Sequence, residues 1–352
     1  MSTPTGSSRG LFSCGLKQGS TWGTAVALGA TNEIIVPDDG NPMLNQAYEQ
    51  SDAMGRLLPR DGSLGECKPV EWDIHFDSKC GLQYEPGPLG SVIAALYGAS
   101  ATPAIQGASA AYLHSFTSAD ESTKFFTFAT ERSGTIREVP SAIVKKLTLK
   151  VGDGKLQGTV SMVGNTCINN SAVNGATQMD ALTPAAEANF VLFGTGVLRM
   201  NAQSGGALSS GDSLDISDFS IDLERKVDAK ASLGGSYVSQ PATGPLVATV
   251  KMTMSKATSA GMGYETDFIA MTAKKMDIIF TGGIADATYH YKWTFIFPRM
   301  KFVKVPDSKL ADNMVIDLEL SSEEASSAPT GMSGYTRPGA EVVNLRSTNY
   351  IT

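Results

Sequence analysis

The three histidines are the first residues to examine, because imidazole is both a general base and a metal ligand near neutral pH. His75, His114 and His290 lie in separate segments, and no HExxH or HxH spacing joins any two of them. A site built from them would require distant segments to converge by chance. We therefore predict ordinary core or surface histidines and no metal site.

The cysteines indicate no zinc site. They are scattered without a CxxC pair, whereas structural zinc sites use closely spaced pairs of ligands. The N-terminal segment has neither the charged start nor the long apolar run of a secretory signal, so we expect reduced thiols in a cytoplasmic product. The four cysteines are Cys14, Cys67, Cys80 and Cys167.

No other pattern is typical of an enzyme. Glycine-rich stretches such as SGGALSSG lack the GK[ST] ending of a phosphate-binding loop, and no GxSxG nucleophile motif is present. Asp215, Asp218 and Asp222 lie close together, but the alternation of their segment places Asp218 and Asp222 on the solvent side of a strand. The sequence predicts a protein that is not an enzyme and has no catalytic residues and no cofactor.

Composition restricts the partners of the chain. Its 352 residues include 28 Lys and Arg against 35 Asp and Glu, so clustered basic residues that grip nucleic-acid phosphates are not expected. Hydrophobic residues make up 42%, as in soluble globular proteins, and no run of 18 apolar residues predicts a membrane span. A chain of this length accommodates about two domains.

Two hairpins are the clearest elements of the pattern. In residues 141–164, Leu147 and Leu149 alternate with Lys and Thr, a turn follows at residues 152–154, and a second alternating run completes the hairpin. Residues 298–321 repeat this plan. Each hairpin is thus predicted to have one apolar face and one polar face.

Each hairpin is preceded by a strand, a short helix and further strands. In the first half, residues 68–77 alternate as a strand and residues 89–97 have helical spacing. In the second half, residues 246–255 and 264–275 follow the same order. The other predicted strands are residues 22–28, 33–36, 112–117, 124–130, 191–200, 213–227, 276–280 and 289–297.

The second predicted helix, residues 264–275, has acidic residues in its first turn. Lys274 and Lys275 are predicted to lie in its last turn, where cations stabilise the helix dipole. Phe268 and Met271 are predicted to face inward.

This order favours a mainly β fold of two similar β-sandwich or β-barrel units, each with one flanking short α-helix. We predict a first unit at residues 1–165 with an N-terminal arm, a linker at 166–190, a second unit at 191–325 and a C-terminal arm at 326–352. Within the first unit, residues 41–66 have no clean period and predict a long irregular loop. The likeness of the halves is one of pattern and order, and coincidence is the competing explanation.

Three consecutive segments resemble the tail tube (major tail) protein of long-tailed, non-contractile bacteriophages. They are WDIHFDSKCGLQYEPGPLGSVIAALYG, AAYLHSFTSADESTKFFTFATERSG and IVKKLTLKVGDGKLQGTVSMVGN, in that order. The segment DISDFSIDLERKVD resembles a strand of the same family in the second half. The resemblance extends over residues 11–325, and its motifs are soft patterns rather than catalytic signatures.

The resemblance implies a structural virion protein of the phage tail, in a duplicated tail-tube fold. Its copies would form rings whose inner sheets join into a barrel, and the rings would stack helically into a tube for DNA ejection. Tape measure and tail tip or terminator proteins would be further partners, and double-stranded DNA would pass without specific binding. Assembly would take place in the host cytoplasm, with no membrane contact.

Two sets of residues are expected to serve this assembly. The polar faces of the hairpins are expected to line the channel, and acidic neighbours are expected to neutralise their lysines. The candidate channel-facing residues are Lys146, Thr148, Gln157, Thr159, Ser161, Asp317 and Glu319. The long loop is expected to contact the next ring: Met43, Leu44, Tyr48, Arg56, Leu57 and Leu58.

The number of chains in a ring follows from the number of units. Because barrel diameter follows strand number, two units in each chain favour a trimer with pseudo-sixfold symmetry. A true hexameric ring is the alternative. An adhesion or receptor-binding β-sandwich protein of the virion is the competing function. It predicts exposed aromatic clusters in the loops, whereas these loops are mostly Gly, Ser and Ala.

Overall fold

The computed structural model describes residues 12–34, 42–43, 46–50, 62–76, 81–132, 134–183, 189–231, 238–255, 263–304, 309–310 and 314–352. Of these residues, 54% lie in strands and 11% in helices. The prediction of a mainly β fold is confirmed.

Strands build the body of the molecule. The first ten are β1 Phe12–Gly19, β2 Gln46–Gln50, β3 Gly62–Cys67, β4 Val70–Phe76, β5 Gly98–Ser100, β6 Ala104–Ile105, β7 Tyr112–Ser118, β8 Phe125–Arg132, β9 Thr135–Gly152 and β10 Lys155–Gly164. The others are β11 Ile168–Asn169, β12 Gly196–Ala202, β13 Ser213–Leu214, β14 Ile216–Asp228, β15 Ala242–Ser255, β16 Lys274–Asp286, β17 Tyr289–Lys304, β18 Lys309–Leu310, β19 Met314–Ser322 and β20 Gly339–Asn344. β4 and β14 alternate buried and less buried residues, as the sequence pattern predicts, whereas β8 and the middle parts of β9 and β17 have runs of consecutive buried residues.

In the described ranges, three short α-helices accompany the strands: α1 Pro88–Tyr97, α2 Ala176–Ala181 and α3 Tyr264–Ile269. Helix α1 begins with Pro88, whose missing N–H costs nothing in a first turn. It ends at Gly98, which adopts φ 94° and donates its N–H to the Ala94 carbonyl, a conformation that favours glycine. This helix confirms the prediction for residues 89–97.

One antiparallel sheet passes through both halves of the chain. Its strands lie in the order β4–β10–β9–β14–β15–β19, and we call it the six-strand sheet. The joint between the halves is the ladder of β9 with β14, in which Leu147 pairs with Leu223 and Lys150 with Ser220. The predicted first hairpin forms the β9–β10 part of this sheet.

Strands β9 and β17 each belong to two layers. The first part of β9 pairs with β8, which pairs with β1, and the rest of β9 pairs with β10. In the same way, β17 pairs first with β16, which pairs with β12, and then with β19. Strand β20 pairs with both β17 and β7, so it connects the outer strands of the two halves.

A single hydrophobic cluster fills the space between the layers. It combines inward residues of the six-strand sheet, such as Leu147 and Ile221, with aromatic residues of the outer strands, such as Trp293 and Phe295. The last two rings stack at 5.7 Å between centroids. Most side chains of α1 belong to the same cluster, so this helix lies inside the protein rather than on its surface.

The prediction for residues 264–275 is wrong in its second part. Helix α3 ends at Ile269, Met271 has a φ of 50°, and Lys274 and Lys275 begin β16. The ladder of β16 with β12 and β17 extends back to Lys274, and this pairing replaces the last helical turn. Phe268 and Met271 do not face inward, since both are exposed.

Two other segments also differ from the prediction. Residues 22–28 form no strand, because their polar groups bond to side chains and loops elsewhere, as in the donation from the Val26 N–H to Thr127 Oγ1. The predicted irregular loop at residues 41–66 contains the β2–β3 ladder, a two-stranded sheet separate from the main one. Its middle lies outside the described residues.

Candidate functional site

The outward face of the six-strand sheet gathers most of the polar residues that the sequence singled out. Successive side chains of a strand point to opposite sides, so the burial of Leu147 and Leu149 on one side places Thr148 and Lys150 on the other. The same alternation continues across the other five strands. The result is one broad polar surface shared by both halves, which we call the polar face.

At the joint between the halves, one aspartate of β14 binds two polar side chains of β9. Lys146 Nζ lies 3.1 Å from Asp222 Oδ1, and Thr148 donates a hydrogen bond of 2.6 Å to the same oxygen. The Lys146 and Asp222 side chains are 35% and 25% exposed, so the pair is partly shielded from solvent. Asp222 is therefore an acidic neighbour of the kind expected for this lysine.

In the first half, the polar face carries neutral or singly charged pairs between β10 and β4. Thr159 Oγ1 lies 2.9 Å from His75 Nδ1, and Ser161 donates to Asp73 at 2.6 Å. Gln157 differs from the other predicted residues because it is nearly buried, and its amide donates to the Gly152 carbonyl at 2.8 Å. Gln157 thus braces the turn of its own hairpin.

In the second half, the matching positions carry charges. Thr253 donates to Asp317 at 2.7 Å, and Lys251 Nζ lies 3.9 Å from Glu319. Together with Lys304, these side chains line a cavity of about 470 Å³ that opens on the polar face. The cavity mixes acids with lysines, as expected for a surface that neither grips nor strongly repels a polyanion.

The residues predicted to contact a stacked ring are only partly described. Met43 is 63% exposed. Tyr48 lies in β2, in register with Leu64 of β3. The remaining predicted residues, Leu44, Arg56, Leu57 and Leu58, lie outside the described residues.

Sequence reasoning missed Arg225, which ties the two halves together. Its side chain is fully buried, and its guanidinium donates to the carbonyls of Leu96 and Tyr97 at the end of α1, 2.5 and 2.7 Å away. It also donates to the carbonyls of Ala119 and Gly244, at 2.8 and 2.7 Å. A helix C-terminus favours a cation, because its last carbonyls lack partners.

The sequence does contain a signal for this role. Arg225 continues the inward series Phe219, Ile221 and Leu223 at the same period of two, so it occupies an apolar position. Burial lowers the pKa of Arg225 to about 10, which still leaves the guanidinium charged at neutral pH. A charged residue at an inward position predicts a buried polar partner.

The histidines do not converge. His75 contacts Thr159 on the polar face, whereas His114 is buried and bonds to the Arg346 carbonyl, with a pKa lowered by burial. His290 is exposed beside the Gly282 carbonyl. In the part of the chain that the structure describes, no three His, Cys, Asp or Glu side chains lie together as metal ligands would. No helix in that part is sufficiently long and apolar to span a bilayer.

Comparison with known proteins adds a family. Residues 74–333 match a family model described as phage tail tube protein. The match covers well over half of the chain and extends from β4 to beyond β19, so it includes nearly all of the six-strand sheet. A search of curated proteins finds no match.

Proposed function

Since the chain belongs to the phage tail tube protein family, we propose that its copies form rings that stack into a tube and conduct DNA during ejection. The family is one of structural tail proteins rather than enzymes, so this chain is a structural component of the virion tail. The polar face of the six-strand sheet would line the channel.

The observation that carries this proposal is the continuity of the polar face across both halves. A sheet with one face in the core and the other polar suits a wall between protein and water. Two lysines of this face lie beside acids, Lys146 beside Asp222 and Lys251 beside Glu319, which reduces the number of unneutralised cations that the wall offers to passing phosphates. The net charge of −7 acts in the same direction.

The ends of the six-strand sheet support closure into a ring. Within the described residues, β4 pairs on one side only. At the other end, residues 301–304 of β17 extend the sheet past β19 and pair only with β19. Unpaired strand edges invite pairing with another chain, and a closed ring removes them. Both edges would thus be covered by neighbouring copies.

We also propose that the chain contains two equivalent units, as the linear pattern predicted. Support comes from the ladders, because β4 pairs with β10 and β10 with β9, just as β15 pairs with β19 and β19 with β17. A bulge interrupts both long strands at the same place: Lys145 is skipped in the ladder of β9, and Val303 in that of β17. Three chains would then supply six units to a ring with pseudo-sixfold symmetry. A hexameric ring remains the competing arrangement.

Electron microscopy of the purified protein or of tails tests the assembly. We expect tubes whose end views have threefold symmetry with six similar lobes. A strict sixfold ring with one chain in each lobe would contradict the trimer but not the tube. Isolated particles under all assembly conditions would contradict the tube itself.

The β2–β3 ladder is our candidate for the contact between stacked rings. It forms a sheet of its own, and Met43 just before it is exposed. Deleting residues 45–62 should leave folded chains that no longer form long tubes, measured by sedimentation and microscopy. Normal tubes from the deleted chain would exclude this role.

Tape measure and tail tip or terminator proteins are proposed as the partners at the tube lumen and ends.

A further inference from the structure

Helix α3 and the strand beneath it expose an unusual amount of apolar surface. Ile269 is 75% exposed, Met271 66% and Phe268 38%. The adjacent strand β17 adds Val303, which is 54% exposed and follows Phe302, whose ring packs on Tyr264 of α3 at 5.4 Å. We call Phe268, Ile269, Met271 and Val303 the α3 patch.

Helix α1 shows how an equivalent position is covered. Helix α1 packs on β9 and helix α3 on β17, the two strands that share the same pairing and the same bulge. Nearly every side chain of α1 is buried, and its neighbours include β14 of the second half as well as β1, β5, β7 and β9 of the first. Arg225 of β14 and the carbonyl of Gly244 meet at its C-terminal end, while the Tyr350 ring packs against Gly90 in its first turn.

The polar side of the two bulges differs in the same way. Lys146 follows the bulge in β9 and pairs with Asp222 of β14, a strand of the other half. Lys304 follows the bulge in β17 and is exposed, with no ion pair among the described residues. In the second half, therefore, both the helix and the lysine lack the cover that the first half receives from within the chain.

We propose that the α3 patch is a docking surface for a second copy of this chain, which would cover α3 as Arg225, Gly244 and Tyr350 help to cover α1. The inference rests on the proposed ring and names the surface that joins its subunits. The copy would present its β4 end, because Gly244, whose carbonyl meets Arg225 at the end of α1, has residue 66 just before β4 as its equivalent in ladder register.

Charge supports this choice of occupant. Asp73 projects from β4 on the polar face and is exposed, as is Glu71, which lies 3.4 Å from Lys145 Nζ of the same chain. The opposite end of the six-strand sheet has Lys304 at its edge. An acidic end and a basic end attract each other, as the acidic strand β14 and the lysines of β9 do inside the chain.

The first test places charge in the patch. The double variant Ile269→Glu and Met271→Glu should remain folded, since both side chains are already exposed, yet assemble at least about tenfold less at equal concentration. The matched control is Ile105→Glu with Ile284→Glu, at residues 56% and 62% exposed outside the patch. Tube mass by sedimentation and the melting temperature are the two measurements. Assembly of the patch variant equal to that of the control would overturn the inference.

A photocrosslinker tests the occupant directly. Replacing Ile269 with p-benzoylphenylalanine should yield dimers in assembled tubes, with the crosslink in residues 62–76 of the second copy. Crosslinks to any other segment, or only within one chain, would overturn the proposed geometry. If neither the unmodified protein nor the Ile105→Glu control formed tubes, the proposed function would fail instead, so the two failures are distinguishable.

Discussion

The ladder of β4 with β10 can be aligned with the ladder of β15 with β19, residue pair by residue pair. The polar pairs at the aligned positions differ in every case. Asp73 faces Ser161 in the first, where Lys251 faces Glu319 in the second. His75 faces Thr159 in the first, whereas the second half has Thr253 opposite Asp317. Below the sheet, both ladders place large apolar residues in one core.

The difference shows which side of the sheet holds the strands in place. A slip of one residue would move every apolar side chain of a strand out of the core, so the buried face specifies the register. Pairs on the solvated face contribute about 0.2–1 kcal/mol each and are replaceable. Two stretches of unlike sequence therefore adopt the same ladder.

The largest effect is expected where the halves are tied together. Arg225→Met keeps the approximate side-chain length but removes donors to the carbonyls of Leu96, Tyr97, Ala119 and Gly244. Several buried carbonyls lose their partners, so the free energy of unfolding should fall by about 3 kcal/mol or more. Urea denaturation of the unassembled chain measures it. Arg225→Lys should recover only part of the loss, because an ammonium lacks the planar fork; equal stability of both variants would contradict this account.

The next effect concerns a position at which the two ladders have side chains of different size. Gly158 lies opposite Phe76, where the second ladder has Ile316 opposite Met254. A Cβ at Gly158 would lie 2.3 Å from the Thr148 carbonyl oxygen and 2.5 Å from the Phe76 ring. Gly158→Ala should therefore destabilise the protein by about 2 kcal/mol.

Another strand glycine serves as the control for Gly158→Ala. Gly244 has room, since its nearest neighbour to an added Cβ is 3.5 Å away. Gly244→Ala should leave the urea midpoint nearly unchanged. A similar loss in both variants would show that backbone propensity, not the close approach of Phe76, explains the glycine.

A smaller effect tests whether polar pairs are replaceable. Ser161→Glu places a carboxylate opposite Asp73 and should cost about 0.5–1 kcal/mol. Adding Asp73→Lys recreates the lysine–glutamate pair of the second half and should restore most of the loss. A double-mutant cycle by thermal unfolding measures the coupling. Additive effects of the two changes would mean that these side chains do not interact.

The smallest effect distinguishes the two halves by pH. Glu323 follows β19 and bonds to Arg299 and Lys301, which lowers its pKa from 4.5. In the first half, Asn165 holds the equivalent place and its amide oxygen accepts from the Ser141 N–H at 3.1 Å. The backbone bonds match, since Glu323 N–H donates to Arg299 as Asn165 N–H does to Ser141.

The sign of the pH effect follows from the lowered pKa of Glu323. The unfolded chain takes up the proton first as pH falls, so this contribution is present above about pH 4.5 and is lost below it. Because Glu323 is 42% exposed, the loss should be below about 0.5 kcal/mol. Melting curves between pH 3 and 6 should show a slightly shallower dependence for Glu323→Gln. An unchanged dependence would exclude the contribution.

Local periodicity predicted much of this architecture and little of its long-range pairing. Alternation located β4 and the β9–β10 hairpin, and the proline and glycine around residues 88–98 located α1. The pairing of β9 with β14 has no local signal, because any two alternating strands present compatible edges. For the same reason the polar residues were identified, but their partners, such as Asp222 for Lys146, were not.

The predicted helix at residues 264–275 is longer than α3, because charges typical of helix ends occur in a segment that pairs in the sheet. Acidic residues at its start and lysines after it match a helix dipole, yet Lys275 is wholly buried and donates to the Gly205 and Thr330 carbonyls. Those partners come from segments far apart in the sequence. The preference of lysines for a helix C-terminus is real, but here the pairing of β16 places Lys274 and Lys275 in a strand.

The position of β20 determines when the outer layer of the protein can form during synthesis. This strand lies between β7 and β17, so β7 is synthesised long before the strand that pairs with it. Near it, the Gln18 amide donates to the Thr352 carbonyl across 334 residues. Contacts so distant are slow to form, and the outer layer stays incomplete until most of the chain has emerged from the ribosome. The outer layer of the protein is thus completed only after β20 has been synthesised.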